Sequence, residues 1–535
     1  MPNISLIWAI GALVVVLAIT RVLRVGSRDP RMPRGPPTVP VLGNLHQVPI
    51  TGIHKKFREW ANQYGGVYSL KFGPTNVIVL CDRKAVHELI DKKGVNYAGR
   101  PYSYVGNMMT RGDHMVVSPL DTVTKTKRKV ATHNLAPKML EGTAAPIQGA
   151  EITVLMLDML NTPENFYKHV RRVTASIANI LIFGQRGVTY DTFWGSAVYE
   201  AIDKFGQALE PGANPPVDEY PFLRYVPTKW AKWKKRALRA GLAMDGIWGK
   251  ARRLVEERRA VGDHRHCIAD RLLDEYNESG FPMTQHAFDM LLGEMCEGGA
   301  ETTSSSMLTM ILAVTRFSAV QHKARAEIDK VCGSDRSPDW SDFKDIPYIN
   351  CIVKEGMRWR PVISSGLPHQ NIEEDYYEGM LIPKGSTIFL PVWALNNSES
   401  LGYNDPENFN PDRYLNHPKL ANDYAGSADY NDRDKSFISC IPCAPLTRRR
   451  MCPGIHLAER NQWRITAKLL WAFEFSELED PKTGRIIPLD TNAYTVGLLH
   501  SPVPFKLNIK PRSQAHVNTI RREAAEALAS LKTWE

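Results

Sequence analysis

The chain has 535 residues, 43% of them apolar, which is enough to bury a large core. Its formal charge of +10 comes from 67 basic and 57 acidic side chains, but no run of Lys and Arg interleaved with aromatic residues marks a nucleic-acid-binding face. Eight cysteines are too few for a secreted disulfide scaffold. We therefore place the bulk of the chain in a reducing compartment and expect no nucleic-acid partner.

The N-terminal segment, residues 1–24, predicts a transmembrane anchor. Residues 4–20 carry no charge, and Arg21 and Arg24 follow this run, whereas a cleaved signal peptide carries its positive charge before the apolar stretch. The positive-inside rule then places the rest of the chain in the cytoplasm as a single-pass protein. Five prolines between residues 31 and 49 predict a stiff strap over residues 25–50.

Residues 51–510 show no linker-like break and predict one large catalytic domain, followed by a helical tail at 511–535 of unknown purpose. Two β-type runs around turns predict hairpins at 67–81 and 377–392. Apolar residues recurring at three and four predict helices over 249–261, 323–331 and 459–475. The fold class is therefore mainly α with small β-sheets.

A run of small and polar residues, "GGAETTSSS" at 298–306, interrupts a long helical stretch between residues 290 and 315. Gly and Thr are poor helix formers, so we interpret this patch as a loosened helix that a flat ligand or dioxygen can approach. Glu301 and Thr302 offer a carboxyl and a hydroxyl for moving protons. An exposed polar turn is the alternative.

Two further stretches contain charged residues whose positions predict specific contacts. Glu355 and Arg358 lie three residues apart on a predicted helix, within ion-pairing reach, and Arg413 in "FNPDRY" could complete a buried acid with two arginines. In "PLTRRRMCPGIHLAER" at 445–460, Cys452 stands between arginines and a Pro-Gly step. A cysteine thiolate that binds iron needs nearby positive charge and amide donors, although a surface thiol is the simpler interpretation of this stretch alone.

In chain order, these features resemble the cytochrome P-450 superfamily of haem-thiolate monooxygenases in its membrane-anchored, fungal-like form. The resemblance covers nearly the whole chain and depends on "GGAETT" at 298–303, "EGMR" at 355–358, "FNPDRY" at 409–414 and "CPGIHLAER" at 452–460. It implies the P-450 fold, a single large domain behind an N-terminal transmembrane helix.

The resemblance also implies roles for individual residues. Cys452 would be the axial ligand of the haem iron, and Glu301 with Thr302 the acid-alcohol pair that delivers protons. The other implied roles are a structural lock of Glu355, Arg358 and Arg413, and haem-propionate contacts from Arg128, Arg450 and His369.

The implied activity is insertion of one oxygen atom from O2 into an apolar small molecule, in fungal secondary metabolism. The cofactor would be haem b (iron protoporphyrin IX). Electrons would come from NADPH through a flavoprotein reductase, with cytochrome b5 as a further candidate donor, because the chain itself has no dinucleotide-binding fingerprint. The implied location is the endoplasmic reticulum membrane, with the lipid bilayer as a partner.

The sequence departs from the family pattern in two places. Counting back from Cys452, this chain has Pro445 where the family pattern has an aromatic residue. It has Arg448 where the pattern has a glycine, which lets the backbone pass close beneath the porphyrin. The segment 436–447 is also longer than usual, which a mis-joined exon would explain. Thr124 stands where a Trp usually precedes Arg128 by four residues, so we expect weaker haem retention.

Two alternatives remain from these departures. Cys440, Cys443, Cys452 and His456 have the order C-x2-C-x8-C-x3-H, an acceptable spacing for structural zinc, which would make the protein a membrane-tethered interaction protein. The altered loop at 436–450 is equally consistent with a family member that folds but has low catalytic activity.

Overall fold

The computed structural model of the chain describes residues 4–210, 212–399, 402–418, 420 and 450–535. Its main helices are α1 (Ile4–Arg24), α2 (Ile53–Tyr64), α3 (Tyr104–Thr110), α4 (Thr122–Asn134), α5 (Ala145–Asn161), α6 (Phe166–Phe183), α7 (Phe193–Leu209), α8 (Lys232–Ala260), α9 (Ile268–Ser279), α10 (Gln285–Arg316), α11 (Ala319–Cys332), α12 (Pro347–Trp359), α13 (Val392–Asn396), α14 (Ile455–Ala472) and α15 (Gln514–Leu531). Its strands are β1 (Val67–Phe72), β2 (Thr75–Leu80), β3 (His369–Gln370), β4 (Asp375–Tyr377), β5 (Met380–Ile382), β6 (Thr387–Phe389), β7 (Phe473–Ser476) and β8 (Asn508–Pro511). The fold is mainly helical with small sheets, as the sequence predicts.

One of the two predicted hairpins forms and the other does not. Strands β1 and β2 pair antiparallel around the Gly-Pro turn, which confirms the first hairpin. In the second region β5 pairs with β4, whereas β6 crosses to lie parallel to β2, in the sheet order β1-β2-β6-β3. The hairpin prediction at 377–392 was therefore wrong, because pairing with β2 places Ile388 opposite Ile78 in a fully buried position.

The central helix α10 is buried along most of its length and positions the rest of the domain. It begins at a cap in which Thr284 Oγ1 accepts a hydrogen bond from the Ala287 amide at 3.1 Å. It packs against α6, α7, α8, α12 and α14. The polar patch at 298–306 is helical throughout, so the predicted loosening does not break the helix.

The helix that follows Cys452 ends three residues earlier than its periodicity predicts. It ends at Ala472, and Phe473 begins strand β7, which pairs with β8. The prediction extended the helix to residue 475 because the aromatic residues Phe473 and Phe475 fit both patterns. In the structure they alternate buried and exposed with Glu474 and Ser476, which is the period of a strand.

The N-terminal segment forms the helix α1, but the predicted transmembrane span is not supported. Within the part of the chain that the structure describes, no helix is both long enough and apolar enough to cross a membrane. The uncharged run ends at Arg21, so at about 1.5 Å per residue it is shorter than a hydrocarbon core of about 30 Å.

The C-terminal helix α15 packs against α5 through an apolar face that includes Val517, Ile520 and Leu531. The chain end is also held by polar contacts. The Arg186 amide donates to the Trp534 carbonyl at 2.7 Å, and the Arg186 guanidinium contacts the Glu535 side chain at 2.6 Å. The tail is thus an integral part of the folded domain.

Candidate active site

A cavity of about 530 Å³ lies between α10 and the segment 451–454 that leads into α14. The α10 side contributes Gly298, Glu301 and Thr302, and the opposite side contributes Cys452 and Gly454. Two motifs that are about 150 residues apart in the chain therefore face one another across a single space. The volume is in the usual range for a cofactor or small-molecule site.

The Cys452 thiol lies on the wall of this cavity, in a position suited to ligating a metal. Burial raises the pKa of the thiol, while the Gly454 amide and the Arg128 guanidinium act in the opposite direction by stabilising the thiolate. A bound metal ion would displace the thiol proton. The site therefore has the amide donor and the nearby cation that a thiolate ligand requires.

Two guanidinium groups next to Cys452 have no carboxylate partner among the described residues. Arg128, on α4, donates to the Met451 carbonyl. Arg450 is buried and donates to three carbonyls, those of Ala98 at 2.9 Å and of Met115 and Ser118 at 3.1 Å. Burial lowers the pKa of both arginines, that of Arg450 to about 10. Buried cations without an acid are unfavourable, so these positions suit an anionic ligand.

Iron protoporphyrin fits this arrangement. Cys452 would hold the metal, and the two arginines would offset the two propionates. On the opposite side, a Cβ placed on Gly298 would meet no atom within 4 Å, so the helix leaves open space above a flat ring. Gly299 has a different role, because a Cβ there would come within 3.3 Å of the Ala178 Cβ on α6.

The third predicted propionate contact, His369, lies elsewhere. Its Nδ1 donates to the Tyr97 carbonyl at 2.8 Å, burial lowers its pKa to about 3, and it is not one of the described residues that line the cavity. Arg100, which the sequence analysis did not single out, lines the cavity instead and donates to the Pro368 carbonyl at 2.6 Å.

Thr302 and Glu301 both line the cavity, and each has a hydrogen bond within α10. The Thr302 hydroxyl donates to the Gly298 carbonyl at 2.7 Å, the back-bonding that this residue type favours in helices. Glu301 is buried and accepts from the Ser305 hydroxyl at 3.2 Å. The hydroxyl and the carboxyl are therefore both held at the edge of the cavity.

Glu301 also faces Arg171 of α6, with its Oε1 atom 3.7 Å from Nη2. Burial raises the pKa of Glu301, and Arg171 only partly offsets this. Burial lowers the pKa of Arg171, but Glu301, Tyr190 and Tyr199 together outweigh it and the net change is upward. At 3.7 Å the pair does not form a direct hydrogen bond, so we take burial as the dominant influence on the carboxyl. A carboxyl whose pKa is raised in this way is better suited to holding and releasing a proton than an exposed one.

The predicted lock residues meet around Glu355 and Arg358, which are fully buried on α12. Glu355 accepts from Arg358 Nε at 2.7 Å and Nη2 at 2.8 Å, and from the Asn410 amide at 2.8 Å. Arg413 approaches Glu355 Oε1 more loosely, at 3.4 Å, and its terminal nitrogens donate to two backbone carbonyls. The bidentate pair thus ties α12 to the segment that contains "FNPDRY".

Sequence analysis missed a second set of ionisable residues around the cavity. Glu294 accepts from Lys127 at 2.7 Å, and Glu297 contacts His114 at 3.1 Å. The signal was present in the sequence, since acids at 294, 297 and 301 recur at three and four along one predicted helix. Their partners could not be inferred, because Lys127 and His114 lie far away in the chain.

Several predictions concern residues outside the described part of the chain, namely Pro445, Arg448, Cys440, Cys443 and the segment 436–447. Among the described residues no group of three or more His, Cys, Asp or Glu side chains could hold a metal ion. Thr124 is buried but does not line the cavity. Its amide donates at 2.8 Å to the side chain of Asp121, which caps α4.

Comparison with known proteins agrees with this geometry. The family model described as Cytochrome P450 matches residues 33–509. The chain is 41% identical to cytochrome P450 monooxygenase macC of Penicillium terrestre, over 93% of this chain and 92% of the relative. It is 40% identical to cytochrome P450 monooxygenase patI of Aspergillus clavatus, over 96% of this chain and 95% of the relative. The chain therefore belongs to the cytochrome P450 family and is a monooxygenase of that family, which implies a haem cofactor and a redox partner.

Replacing Glu355 by Gln should lower the free energy of unfolding by about 3–5 kcal/mol, because Arg358 would keep its charge in a fully buried position without a counterion. Denaturant unfolding measures this. Glu407→Gln is the matched control: Glu407 pairs with Arg58 at 3.0 Å but is half exposed, so the loss should stay below about 1 kcal/mol. Equal losses in the two variants would contradict the proposed lock.

The contribution of His286 to stability should depend on pH. Its imidazole lies 2.6 Å from Asp113 and 3.0 Å from Asp245, and these carboxylates raise its pKa, Asp113 most strongly. A raised pKa means that the contribution is complete below the unfolded value of about 6.5 and is lost as pH rises through the folded value.

Unfolding free energies of the wild type and His286→Asn should therefore differ more at about pH 5.5 than at about pH 8.5. His264→Asn, at an exposed site, should show no such trend. A difference that grows with pH would contradict the assignment of a charged His286.

Proposed function

We propose that this protein inserts one oxygen atom from O2 into an apolar small molecule of fungal secondary metabolism, using haem b ligated by Cys452. The observation that carries the proposal is the cavity in which Cys452 lies opposite Gly298, Glu301 and Thr302. Beside it are Arg128 and Arg450, which form no ion pair with a carboxylate among the described residues. Bound haem supplies the activation of dioxygen and the transfer of one oxygen atom. The relatives named above are monooxygenases of fungi, which supports the proposal.

The residues of the chain would divide the remaining work. The Gly454 amide and Arg128 would stabilise the Cys452 thiolate, and Arg128 and Arg450 would orient the cofactor through its propionates. The Thr302 hydroxyl, which can both donate and accept, would pass protons into the cavity, and Glu301 would replenish them. The apolar lining would exclude bulk water from the reacting atoms.

The electron source is a separate protein in this proposal. The sequence carries no dinucleotide-binding fingerprint, so a flavoprotein reductase would deliver electrons from NADPH, with cytochrome b5 as a second candidate donor. The basic excess of the chain suits an acidic partner surface.

We further propose that the domain associates with the endoplasmic reticulum membrane. The support is an exposed apolar surface on α1, where Leu13 and Leu17 are each 58% exposed, together with the exposed aromatic residues Phe222, Tyr225 and Trp230. The chain should float with phosphatidylcholine vesicles in a density gradient, and a chain that lacks residues 1–24 should float less. Identical distributions of the two chains would contradict a role for α1.

The proposal as a whole is tested by the carbon monoxide difference spectrum of the reduced protein. We expect the long-wavelength Soret band of thiolate-ligated haem, and we expect Cys452→Ser to abolish it. Cys332→Ser, which removes a buried thiol outside the cavity, should retain the band. A protein without the band would favour the alternative of an impaired family member, in which the altered loop at 436–450 prevents haem retention.

Thr302→Ala should uncouple electron consumption from oxygen insertion, because proton delivery loses its hydroxyl. In a system reconstituted with a reductase, the fraction of NADPH oxidation recovered as hydrogen peroxide should rise several-fold. Thr315→Ala is a matched control, since Thr315 lies on the same helix with the same type of hydroxyl bond, 2.6 Å to the Ile311 carbonyl, away from the cavity. Unchanged coupling in Thr302→Ala would contradict the role of Thr302.

A further inference from the structure

The buried ion pair of Glu294 and Lys127 takes no part in the thiolate ligation or the proton delivery described above. Glu294 lies on α10 and Lys127 on α4, and the Lys127 ammonium donates to Glu294 Oε1 at 2.7 Å. The two side chains are only 4% and 1% exposed. Buried ion pairs add little net stability, because the desolvation of both charges offsets their attraction. The other contacts of the two side chains indicate what the pair does.

Both side chains also hold the loop 111–118, which lies between α3 and α4. The second oxygen of Glu294, Oε2, accepts a hydrogen bond from the Met115 amide at 2.7 Å. The Lys127 ammonium also donates to the Asp113 carbonyl. Each charged group of the pair therefore contacts both its partner and the backbone of the loop, so that the loop is connected to α10 and to α4 at once.

The same loop holds Arg450 from its other side. The Met115 carbonyl accepts a hydrogen bond from Arg450 Nη1, and the Ser118 carbonyl accepts one from Nη2, both at 3.1 Å. The peptide groups of Met115 thus connect Glu294 to Arg450, since the amide donates to the first and the carbonyl accepts from the second. A shift of the loop would move both carbonyls that orient the guanidinium.

The guanidinium of Arg450 has donors left for a ligand. It carries five N–H groups, and in the described part of the chain its bonds to Ala98, Met115 and Ser118 use three of them. Two N–H groups remain, one on each terminal nitrogen. Arg450 lines the cavity, and a carboxylate is the group that accepts from two guanidinium nitrogens at once. The three carbonyls thus hold Arg450 ready for one propionate.

The second arginine next to Cys452 is coupled to the same pair. Arg128 follows Lys127 directly in α4 and donates to the Met451 carbonyl. Burial lowers the pKa of Arg128, and the negative charges of Cys452 and Glu294 partly offset this. Glu294 therefore favours the charged form of Arg128 without contacting it.

We infer that Glu294 and Lys127 are positioning residues for the haem propionates, because they keep the loop 111–118 in the conformation that orients Arg450. This inference rests on the proposed function, since it concerns the binding of the same cofactor. It assigns neither residue a contact with the haem. Thr124 stands where the family pattern has a Trp and does not line the cavity, so the arginines carry more of the propionate binding in this chain.

The rate at which the ferric protein loses haem to an excess of apomyoglobin tests the inference. An amide has one acceptor oxygen, so Glu294→Gln cannot accept from both Lys127 and Met115. The loop should then lose one of its contacts, and haem transfer should become about ten- to hundredfold faster, as is typical when the support of a ligating group is removed. An unchanged transfer rate in Glu294→Gln overturns the inference.

Asp270→Asn is the matched control for loss of a buried acid. Asp270 is 1% exposed and pairs with Arg258 at 2.8 Å, but neither residue lines the cavity. This variant should unfold at a lower denaturant concentration and yet transfer haem at the wild-type rate. Equal acceleration of haem transfer in Asp270→Asn and Glu294→Gln would overturn the inference, because haem loss would then follow general destabilisation.

A modified cofactor separates an effect on the propionates from a general structural effect. Haem dimethyl ester has no propionate charge for Arg450 to bind. When the wild type and Glu294→Gln are both reconstituted with the ester, their transfer rates should agree to within about twofold, as expected for a pair whose coupling has been removed. A difference as large with the ester as with haem would overturn the inference.

A second variant keeps the test decisive if Glu294→Gln does not fold. The double variant Lys127→Met with Glu294→Met removes both charges at similar volume, so no buried ammonium is left without its counterion. It loses both contacts to the loop and should also transfer haem faster than the wild type. A wild-type transfer rate in the folded double variant would contradict the positioning role.

The two proposals fail separately. A wild type with the thiolate Soret band, whose haem loss is not accelerated by these substitutions, refutes only the role of Glu294 and Lys127. A wild type that binds no haem refutes the proposed function, and the positioning role with it.

Discussion

Three carboxylates on the cavity side of α10 must each be paired within the protein, and much of the domain is arranged around this constraint. A buried acid without a partner costs several kcal/mol, of the order of the whole stability of a domain. Glu294 is paired with Lys127 of α4, Glu297 with His114 and with Trp248 of α8, and Glu301 with Arg171 of α6. These contacts connect the surrounding elements to the central helix.

The same principle explains what the cavity can hold. The acids of α10 have protein partners, whereas Arg128 and Arg450 on the opposite side have none among the described carboxylates. The cavity is therefore electrostatically asymmetric, with cations near Cys452 and anions near Thr302. A flat cofactor with two carboxylates would offset the cations beside Cys452.

Two buried ion-pair clusters lie among residues that do not line the cavity. The bidentate pair of Glu355 and Arg358 is completely buried, and Arg358 also donates to the carbonyls of Asn396 and Pro406. A similar buried cluster joins Glu151 to Arg172 and Arg186, and Arg186 in turn holds the chain end at Glu535. The C-terminal tail, beyond the residues matched by the family, is thereby connected to the helical core.

The sequence alone determined the features that depend on local spacing. Glu355 and Arg358 are three residues apart on one helix, the residues around Gly73 and Pro74 favour a hairpin, and Cys452 stands in a motif whose order along the chain identifies the family. In each case the relevant atoms are close because the residues are close in sequence or share a helical or strand period. The predicted end of the helix after Cys452 was wrong, because Phe473 and Phe475 fit both the helical and the strand period.

Only the tertiary structure decided which distant residues meet. His114 and Glu297 are 183 residues apart in the chain, β6 left its predicted hairpin to pair with β2, and Arg100 rather than His369 reached the cavity wall. These contacts depend on how whole helices and sheets pack, and packing is driven by the burial of apolar surface, which is non-directional and does not specify individual polar partners in the local sequence. The motif residues of the haem site were therefore predictable, whereas the distant partners of Glu294, Glu297 and Glu301 were not.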